Sequence, residues 1–409
     1  MLLNTALKEI KRHLIMNLII FAELTVTVIL VAVMATAVMI RYKYYAPFKD
    51  LYTSDGLYCE FSQATSKGRQ SDSMEDFLDG EDIFPYLSSP QKIVCSDKVM
   101  AFPMNEDESI SSYCLSYNDE LISRYTPALS DGEWFDVSTS GDEIEVVISE
   151  NENGWKVGDV IPVQFACKGW DGIIEVNVIG MLEKGTKLPG IFHDHTGENN
   201  SNMFFSSYDF DEEKVPMLLF SYSQLKAKSV FQYINSAFIT YSDGTGAETL
   251  ANDQKTIASF GSNYSVKLSE LNDNSIAYFK VQFYNYLPII IVVLIMTLVS
   301  SISITALSTR QRLHDYGIYY ICGMKWKSGC LVNMLWSLVI VVSAVAAAWL
   351  YIALSGQLPF LGQITVLWNI WTYLAVAAVA IIFMAGSMIM PLIIIGNSTP
   401  KEILTKGDA

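Results

Sequence analysis

The chain has 409 residues, of which 51% are hydrophobic, and its mean hydropathy is +0.28. That value is too high for an ordinary soluble protein, whereas a formal net charge of −16 is too large for a membrane bundle alone. The negative charge also argues against nucleic-acid binding, because phosphate backbones require a basic surface.

Four apolar segments are each at least about 20 residues long, enough to cross a hydrocarbon core as a helix. They predict transmembrane helices at 14–40, 286–307, 331–354 and 370–395. The polar block 41–285 has 18 Lys and Arg against 38 Asp and Glu, a net charge of −20. The predicted fold class is therefore a membrane protein of four transmembrane helices, with an extracytoplasmic α+β domain inserted between the first two.

In the segment 1–13, Leu3, Leu7 and Ile10 recur at helical spacing. They share one helical face with Leu14, the first residue of the first predicted span. This spacing predicts a cytoplasmic amphipathic helix in the headgroup layer, although an ordinary positively flanked helix start explains it equally well. Ala35-Thr36-Ala37 fits a signal-peptide cleavage site. The apolar run is about twice as long as a signal-peptide h-region, so we predict that the first span is retained.

Glu23 is the only acidic residue well inside a predicted span. A carboxylate in hydrocarbon costs several kcal/mol unless it is neutral or paired, so this residue is a functional candidate. We favour a helix–helix contact in a dimer, ahead of snorkelling to the nearby cytoplasmic boundary. A proton relay is the least favoured interpretation.

The block 41–285 alternates β-branched runs with Gly, Asp and Asn turn signals, which predict strands at 143–149, 160–165, 174–181 and 237–241. Helices are predicted at 249–260 and 270–285, the second running into span two, so that extended helices form a stalk under the domain. Four cysteines permit three disulfide pairings and favour none of them: Cys59, Cys95, Cys114 and Cys167.

One group in this block has metal-ligand residue types: His193, Asp194, His195 and Glu198. Its i, i+2 histidine spacing in a Gly- and Asn-rich loop favours solvated surface over zinc. With four histidines in the whole chain, we predict no metal site and no catalytic site.

The basic residues of the short segments set the predicted orientation. They precede span one, join spans two and three in the loop 308–330, and follow span four in the tail 396–409. The loop 355–369 between spans three and four has no charge. We predict a multi-pass protein of the cell membrane with both termini cytoplasmic and the acidic domain outside.

Three sets of motifs follow one another along the chain. The external block contains Gly132-Glu133-Trp134-Phe135, then Val157-Gly158-Asp159-Val160-Ile161, then Val178-Ile179-Gly180. The loop after span two contains Arg310-Gln311-Arg312-Leu313-His314-Asp315-Tyr316-Gly317-Ile318 and Cys322-Gly323-Met324-Lys325-Trp326-Lys327. The tail contains Thr399-Pro400-Lys401-Glu402-Ile403-Leu404. In this order the chain resembles the MacB/FtsX-type permeases of ABC transporters.

The resemblance implies that the loop 308–330 is a coupling segment for a separate ATPase, through Arg312, Asp315, Gly317, Tyr319, Gly323, Met324, Lys325 and Trp326. A basic interfacial anchor without a partner is the alternative. The external motif residues are Gly132, Trp134, Gly158, Asp159 and Gly180, and those of the tail are Pro400, Glu402 and Leu404. The chain departs from the family where Asn333, Trp336 and Ser337 enter span three, and where Met324 replaces the usual Ala.

No GxxxxGK[ST] run occurs, so we expect ATP on the partner chain and no cofactor here. The resemblance implies mechanical transmission by two permeases, identical or different, and two ATPases, which export or extract a peptide, an antibiotic or a lipid-linked molecule. An FtsX-like regulator of an external cell-wall hydrolase is an alternative with the same architecture, and an external adaptor is a further expected partner. A membrane sensor with an external ligand domain is the rival from another class, and a structural adhesion protein is a weaker one.

Overall fold

The computed structural model describes residues 11, 13–66, 76–105, 108–137, 143–167, 170–190, 200–201, 203–208, 210–311, 313–323, 328–355 and 366–397. The chain divides into two units. A membrane unit comprises Met1–Ile40 and Phe279–Ala409, and an external domain comprises Arg41–Tyr278.

The helices of the described residues, in chain order, are α1 (Leu14–Tyr45), α2 (Lys49–Tyr52), α3 (Gly80–Ile83), α4 (Asp119–Arg124), α5 (Phe210–Glu213), α6 (Tyr222–Ala227), α7 (Ala247–Ser259), α8 (Leu268–Gln311), α9 (Leu313–Ile321), α10 (Ser328–Ser355) and α11 (Ile370–Gly396). Two short 3₁₀ turns cover Ala46–Phe48 and Phe84–Tyr86. Four of these helices, namely α1, α8, α10 and α11, are long and apolar enough to cross a membrane.

The membrane unit is apolar on both its inner and its outer surfaces. Ile20 and Phe383 are fully buried in its core, whereas Val342 and Ile381 are more than half exposed on its outer face. Helices α8 and α11 approach closely at Gly386, where a Cβ atom would lie 2.6 Å from a methyl carbon of Leu298. Apolar side chains on the outer face are compatible with a lipid bilayer, since lipid tails solvate them.

The strands all belong to the external domain: β1 (Gly56–Phe61), β2 (Lys92–Val99), β3 (Ala101–Asn105), β4 (Glu108–Ser109), β5 (Tyr113–Tyr117), β6 (Leu129–Gly132), β7 (Ile144–Ile148), β8 (Val160–Cys167), β9 (Trp170–Leu182), β10 (Lys187–Pro189), β11 (Phe205–Ser207), β12 (Met217–Ser221), β13 (Gln232–Thr240) and β14 (Ser262–Lys267). Twelve of them form one mixed sheet in the order β14-β1-β13-β2-β5-β12-β7-β9-β8-β3-β4, with β6 paired to β9. Strands β10 and β11 pair separately.

The pairs β5–β12 and β7–β9 are parallel, and the other pairs in the sheet are antiparallel. One half of the sheet packs around Val146, Phe165 and Phe220, while the other packs against α7 around Leu57 and Ile257. Sheet and helices together make an α+β domain. The predicted fold class of four membrane helices plus an external α+β domain is confirmed.

An aromatic cluster centred on Phe238 fills the core beside β1 and β13. Its ring lies 4.6 Å from that of Phe204, 4.9 Å from that of Tyr58 and 5.5 Å from that of Phe48, centroid to centroid. Phe48 comes directly after α1, so this cluster ties the segment that follows the first membrane helix into the sheet. Aromatic pairs at these separations contribute beyond the area they bury.

Candidate functional site

The coupling segment 308–330 begins in the last turn of α8 and continues as the short helix α9. Helix α9 ends at Ile321, after which the amide of Cys322 donates to the carbonyl of Ile318 at 3.1 Å. Gly323 follows with φ +92° and has open space around it. A left-handed residue just past a helix end is typical of glycine, which has no Cβ to clash.

Two apolar side chains of α9 are exposed, on the same helical face as the exposed His314. Ile318 is 43% exposed and Ile321 is 67% exposed, and they lie three residues apart on one helical face. Cys322 is exposed next to them, whereas Gly317 is buried. Ile318 is the last residue of the motif Arg310–Ile318, and Ile321 lies just before the next motif, but neither was among the predicted coupling residues.

The remaining predicted site residues are described only in part. The backbones of Asp315 and Tyr319 lie in α9. Several predictions fall outside the described residues: most of the amphipathic segment 1–13, the His193–Glu198 group, and the motif residues Arg312, Met324, Lys325, Trp326, Pro400, Glu402 and Leu404.

A polar seam lies at the end of the membrane unit that adjoins the coupling segment; its residues are Asn17, Thr305, Ser308, Thr309, Asn333 and Trp336. The indole Nε1 of Trp336 donates to Oδ1 of Asn17 at 3.2 Å, which joins α10 to α1. The side-chain amide of Asn333 donates to Oγ1 of Thr309 at 3.4 Å, which joins α10 to α8. The seam thus connects three helices through polar groups.

The seam is buried and closely packed. Asn17, Thr309, Asn333 and Trp336 are all at most 4% exposed. Asn17, Asn333 and Trp336, together with His13 and Ile304, line a space that has no room for a water molecule. A buried polar group in hydrocarbon surroundings is costly unless a protein partner satisfies it, so these contacts favour one packing of the three helices.

Glu23 lies in α1, two turns beyond Asn17. Its side chain is partly exposed, yet its Oε2 atom is buried and accepts no hydrogen bond from any described residue. The hydroxyl of Thr27 donates to the backbone carbonyl of Glu23, not to its carboxylate. The described chain therefore offers this carboxylate no hydrogen-bonded partner at Oε2.

The external motif residues meet where β6 pairs with β9. Gly132 is paired with Gly180 and has φ +76°. A Cβ on Gly132 would lie 2.2 Å from the carbonyl oxygen of Ile179, and one on Gly180 would lie 2.5 Å from that of Glu133. The two glycines therefore allow a close backbone approach that no larger residue permits.

The other external motif residues complete the same region. The indole of Trp134 donates to the carbonyl of Ile122 at 3.2 Å and packs on Phe135. Gly158, with φ +92°, forms the turn before β8, and the carboxylate of Asp159 accepts the amide of Lys156 at 2.8 Å. These roles are structural: the motif builds the domain and brings no reactive groups together.

An acidic group is buried between β2 and α3. Asp97 is 1% exposed; its Oδ2 accepts the amide of Gly80 at 3.3 Å, and its Oδ1 accepts no hydrogen bond from any described residue. Burial, and then the nearby Asp79, raise the pKa of Asp97 well above its usual range. Lys226 pairs with Asp79 at 3.4 Å. Burial with such neighbours favours the neutral form of the Asp97 carboxyl group.

The described residues offer no metal site and no disulfide. No group of three or more His, Cys, Asp or Glu side chains among them is arranged to hold a metal ion. The four external cysteines are buried free thiols. Burial raises the pKa of the Cys95 thiol well above its usual range, and a protonated thiol is a poor nucleophile.

A cavity of about 430 Å³ opens on the external domain beside α3 and the start of β2. Its lining combines apolar, acidic and basic side chains: Phe84, Pro85, Ile93, Glu81, Glu120 and Lys92. Lys92 and Glu120 form an ion pair of 3.2 Å within it. The cavity has the volume typical of a small-ligand site.

No protein-family model matches the chain, and no curated protein matches it. Among solved structures, it is similar to the extracellular domain of the ABC-type transporter YknZ from Gram-positive bacteria, with 12% identity and a TM-score of 0.27 over 49% of this chain and 88% of that one. It is also similar to the periplasmic region of MacB from Actinobacillus actinomycetemcomitans, with 10% identity and a TM-score of 0.29 over 56% of this chain and 96% of that one.

One of these neighbours is an extracellular domain and the other is a periplasmic region.

Proposed function

We propose that the chain is the non-catalytic permease subunit of an ABC transporter, and that a separate cytoplasmic ATPase docks on the coupling segment. The observation that carries this proposal is the exposure of Ile318 and Ile321 on α9, which no described residue covers. The order of the sequence motifs and the lack of a nucleotide-binding motif in the sequence support it.

The polar seam gives the coupling segment a route into the membrane unit. Thr309 lies within the coupling segment, two residues before the end of α8, and Asn333 lies after the segment, in the second turn of α10. A force on α9 therefore reaches both ends of the seam, and through Trp336 and Asn17 it reaches α1. Helices α1 and α8 each contribute residues to the external domain, so their movement is the proposed output.

The working unit is proposed to contain two permease copies, either identical or different, with Glu23 at their contact. The buried Oε2 atom of Glu23 requires a partner that the described residues do not supply. Glu23→Gln keeps the shape and hydrogen-bonding capacity, so dimer formation and transport should be unchanged, whereas Glu23→Leu should weaken the dimer. Loss of transport in Glu23→Gln with the dimer intact would favour proton transfer instead.

The proposed orientation places both termini and the coupling segment in the cytoplasm, with the external domain outside the cell membrane. The positive charge of the short segments supports this orientation. The proposed cargo is a peptide, an antibiotic or a lipid-linked molecule handled at the outer side. No cofactor is assigned to the chain; ATP belongs to the partner.

Co-purification of an ATPase with the full-length chain tests the docking surface. The variants Ile318→Asp and Ile321→Asp place charge on the exposed side of α9 and should reduce co-purified ATPase at least about tenfold, as expected when a charge is buried in an apolar contact. Ile318→Leu and Ile321→Leu are the matched controls and should retain the ATPase. Met324→Asp and Trp326→Asp should behave like the Asp variants. Undiminished co-purification with all the Asp variants would refute the assignment.

A further inference from the structure

Three basic side chains of the external domain lie near two tyrosine rings. Two of them follow the apolar run of the first membrane helix directly, and the third comes from a strand. The ammonium groups of Lys43 and Lys187 lie 5.9 Å and 5.3 Å from the centre of the Tyr44 ring. The guanidinium of Arg41 lies 4.9 Å from the centre of the Tyr278 ring and donates to its hydroxyl at 3.2 Å. Arg41, Lys43 and Lys187 are termed the basic patch.

The fold, not the local sequence, assembles the basic patch. Lys187 lies in β10, which pairs with β11 through Ser207. Phe205 of β11 packs on Tyr44 at 5.0 Å, and the hydroxyl of Tyr125 donates to the carbonyl of Lys187. These contacts fix the Lys187 backbone beside the end of α1.

Lys187 lies close enough to Arg41 for the two cations to repel each other. Burial, and then the neighbouring Arg41, lower the pKa of Lys187. Among the described residues no carboxylate forms an ion pair with Lys43 or Lys187. An anion close to Lys43 and Lys187 would favour the charged form of both ammonium groups. This cationic spot lies in the block 41–285, whose net charge is −20.

The position along the chain identifies the anion. Arg41 is the first residue after the apolar run that ends at Ile40, so the basic patch adjoins the headgroup layer of the membrane. Tyr and Arg are enriched at this boundary, and a guanidinium together with ammonium groups matches the oxygens of a phosphate. We propose that Arg41, Lys43 and Lys187 bind the phosphate of an anionic phospholipid headgroup in the outer leaflet.

Native mass spectrometry of the purified full-length chain tests the site. It measures how much phosphatidylglycerol the chain retains, compared with phosphatidylcholine. Removal of one patch cation in Lys187→Gln should weaken phosphatidylglycerol binding about fivefold, the usual contribution of one basic residue near an anionic surface. Lys43→Gln should have a similar effect, and because Lys43 is exposed this variant leaves the core untouched. Lys187→Arg keeps the charge and should retain the lipid.

Lys156→Gln removes an exposed lysine elsewhere on the same domain and serves as the control. Equal phosphatidylglycerol retention in Lys43→Gln, Lys187→Gln and Lys156→Gln would overturn the proposal. A parallel arm adds inorganic phosphate alone: if millimolar phosphate displaces the lipid, the site serves a free anion, and the headgroup assignment is wrong. ATPase co-purification should be normal in every variant, which separates this inference from the proposed coupling role.

Discussion

The external domain and the membrane unit bury polar groups in different ways. The domain buries carboxyl groups, such as Asp97 beside Asp79, between a sheet and its covering helices. The membrane unit buries hydroxyl, amide and indole groups, joined in pairs such as Asn17 with Trp336. The sheet core of the domain is apolar and its surface is acidic, whereas the membrane unit is apolar both inside and outside.

The two units obtain their specific packing from different interactions. In water, burial of apolar surface itself selects which faces lie inside. In lipid that selection is absent, because an apolar side chain is solvated equally well on either face of a helix. Close contacts at Gly386 and hydrogen bonds in the polar seam therefore determine how the membrane helices fit together.

Truncation of one fully buried phenylalanine in each unit should show the largest contrast. Phe238→Ala in the external domain should cost about 3–5 kcal/mol of unfolding free energy, through lost transfer energy plus a cavity. Phe383→Ala in the membrane unit should cost about half of that, since lipid solvates the removed ring and only packing is lost. Both residues are 0% exposed. Hydrogen exchange for the domain and SDS titration for the membrane unit measure the two losses, and equal losses would contradict the comparison.

The buried carboxyl of Asp97 should make the external domain less stable as the pH rises. Its folded-state pKa is raised by burial and by Asp79, so its stabilising contribution is complete below the ordinary pKa of about 3.9 and is lost as pH rises toward the raised value. The domain should lose about 1.4 kcal/mol per pH unit in that window.

Asp97→Asn removes this titration, so its stability advantage over the unmodified chain should grow with pH. Thermal unfolding of the domain from pH 5 to pH 8 measures it. Asp243→Asn changes an exposed carboxylate and is the matched control. A constant difference between Asp97→Asn and the unmodified chain across this range would show that Asp97 is ionised in the fold. The membrane unit has no counterpart to this titration in its polar seam.

Removal of a hydrogen bond from the polar seam should have the smallest effect on stability. Trp336→Phe and Asn17→Leu should each cost about 1 kcal/mol, and the double variant should show a coupling energy of about 0.5–1.5 kcal/mol. Trp349→Phe changes a Trp that is 56% exposed on the same helix and should be neutral. SDS titration supplies the free energies. Additivity of Asn17→Leu and Trp336→Phe would show that the bond does not hold the helices together.

The seam should matter more for coupling than for stability. If it transmits force from α9, Trp336→Phe should reduce cargo-stimulated ATP hydrolysis by the reconstituted complex while ATPase binding stays normal. If cargo stimulates ATP hydrolysis normally in the Asn17→Leu and Trp336→Phe variants, the polar seam does not transmit force from α9.

Hydropathy was sufficient to predict the membrane helices, because lipid requires about 20 apolar residues in a row. The β-branched runs likewise predicted β7, β8 and β9. Strands β1 and β2 were not predicted. Both are buried on two faces, so neither alternates, and they contain Glu60, Ser96 and Asp97, which lower their apolar signal.

The partners within the site could not be predicted, since they depend on contacts between distant residues. Asn333 and Trp336 were recognised as departures from the family pattern, but the bond from Trp336 to Asn17 spans 319 residues of sequence. The basic patch has the same origin, since Lys187 reaches Tyr44 only through the pairing of β10 with β11. Counting charges along the sequence shows only that the block 41–285 is acidic, and it does not reveal the basic patch.

Labelling of Cys322 with a membrane-impermeant maleimide tests the coupling role most directly. Cys322 is exposed beside Ile318 and Ile321, and the four external cysteines are buried. Cys330 is partly exposed and is replaced by Ser in every sample, so that an impermeant reagent reports on Cys322. We expect no labelling of Cys322 in intact cells and clear labelling in inverted vesicles. Cys322→Ser should abolish the labelling of vesicles, and addition of the purified ATPase should protect Cys322 from the reagent. Labelling of Cys322 in intact cells, or none of the expected protection by a bound ATPase, would contradict a cytoplasmic docking surface on α9.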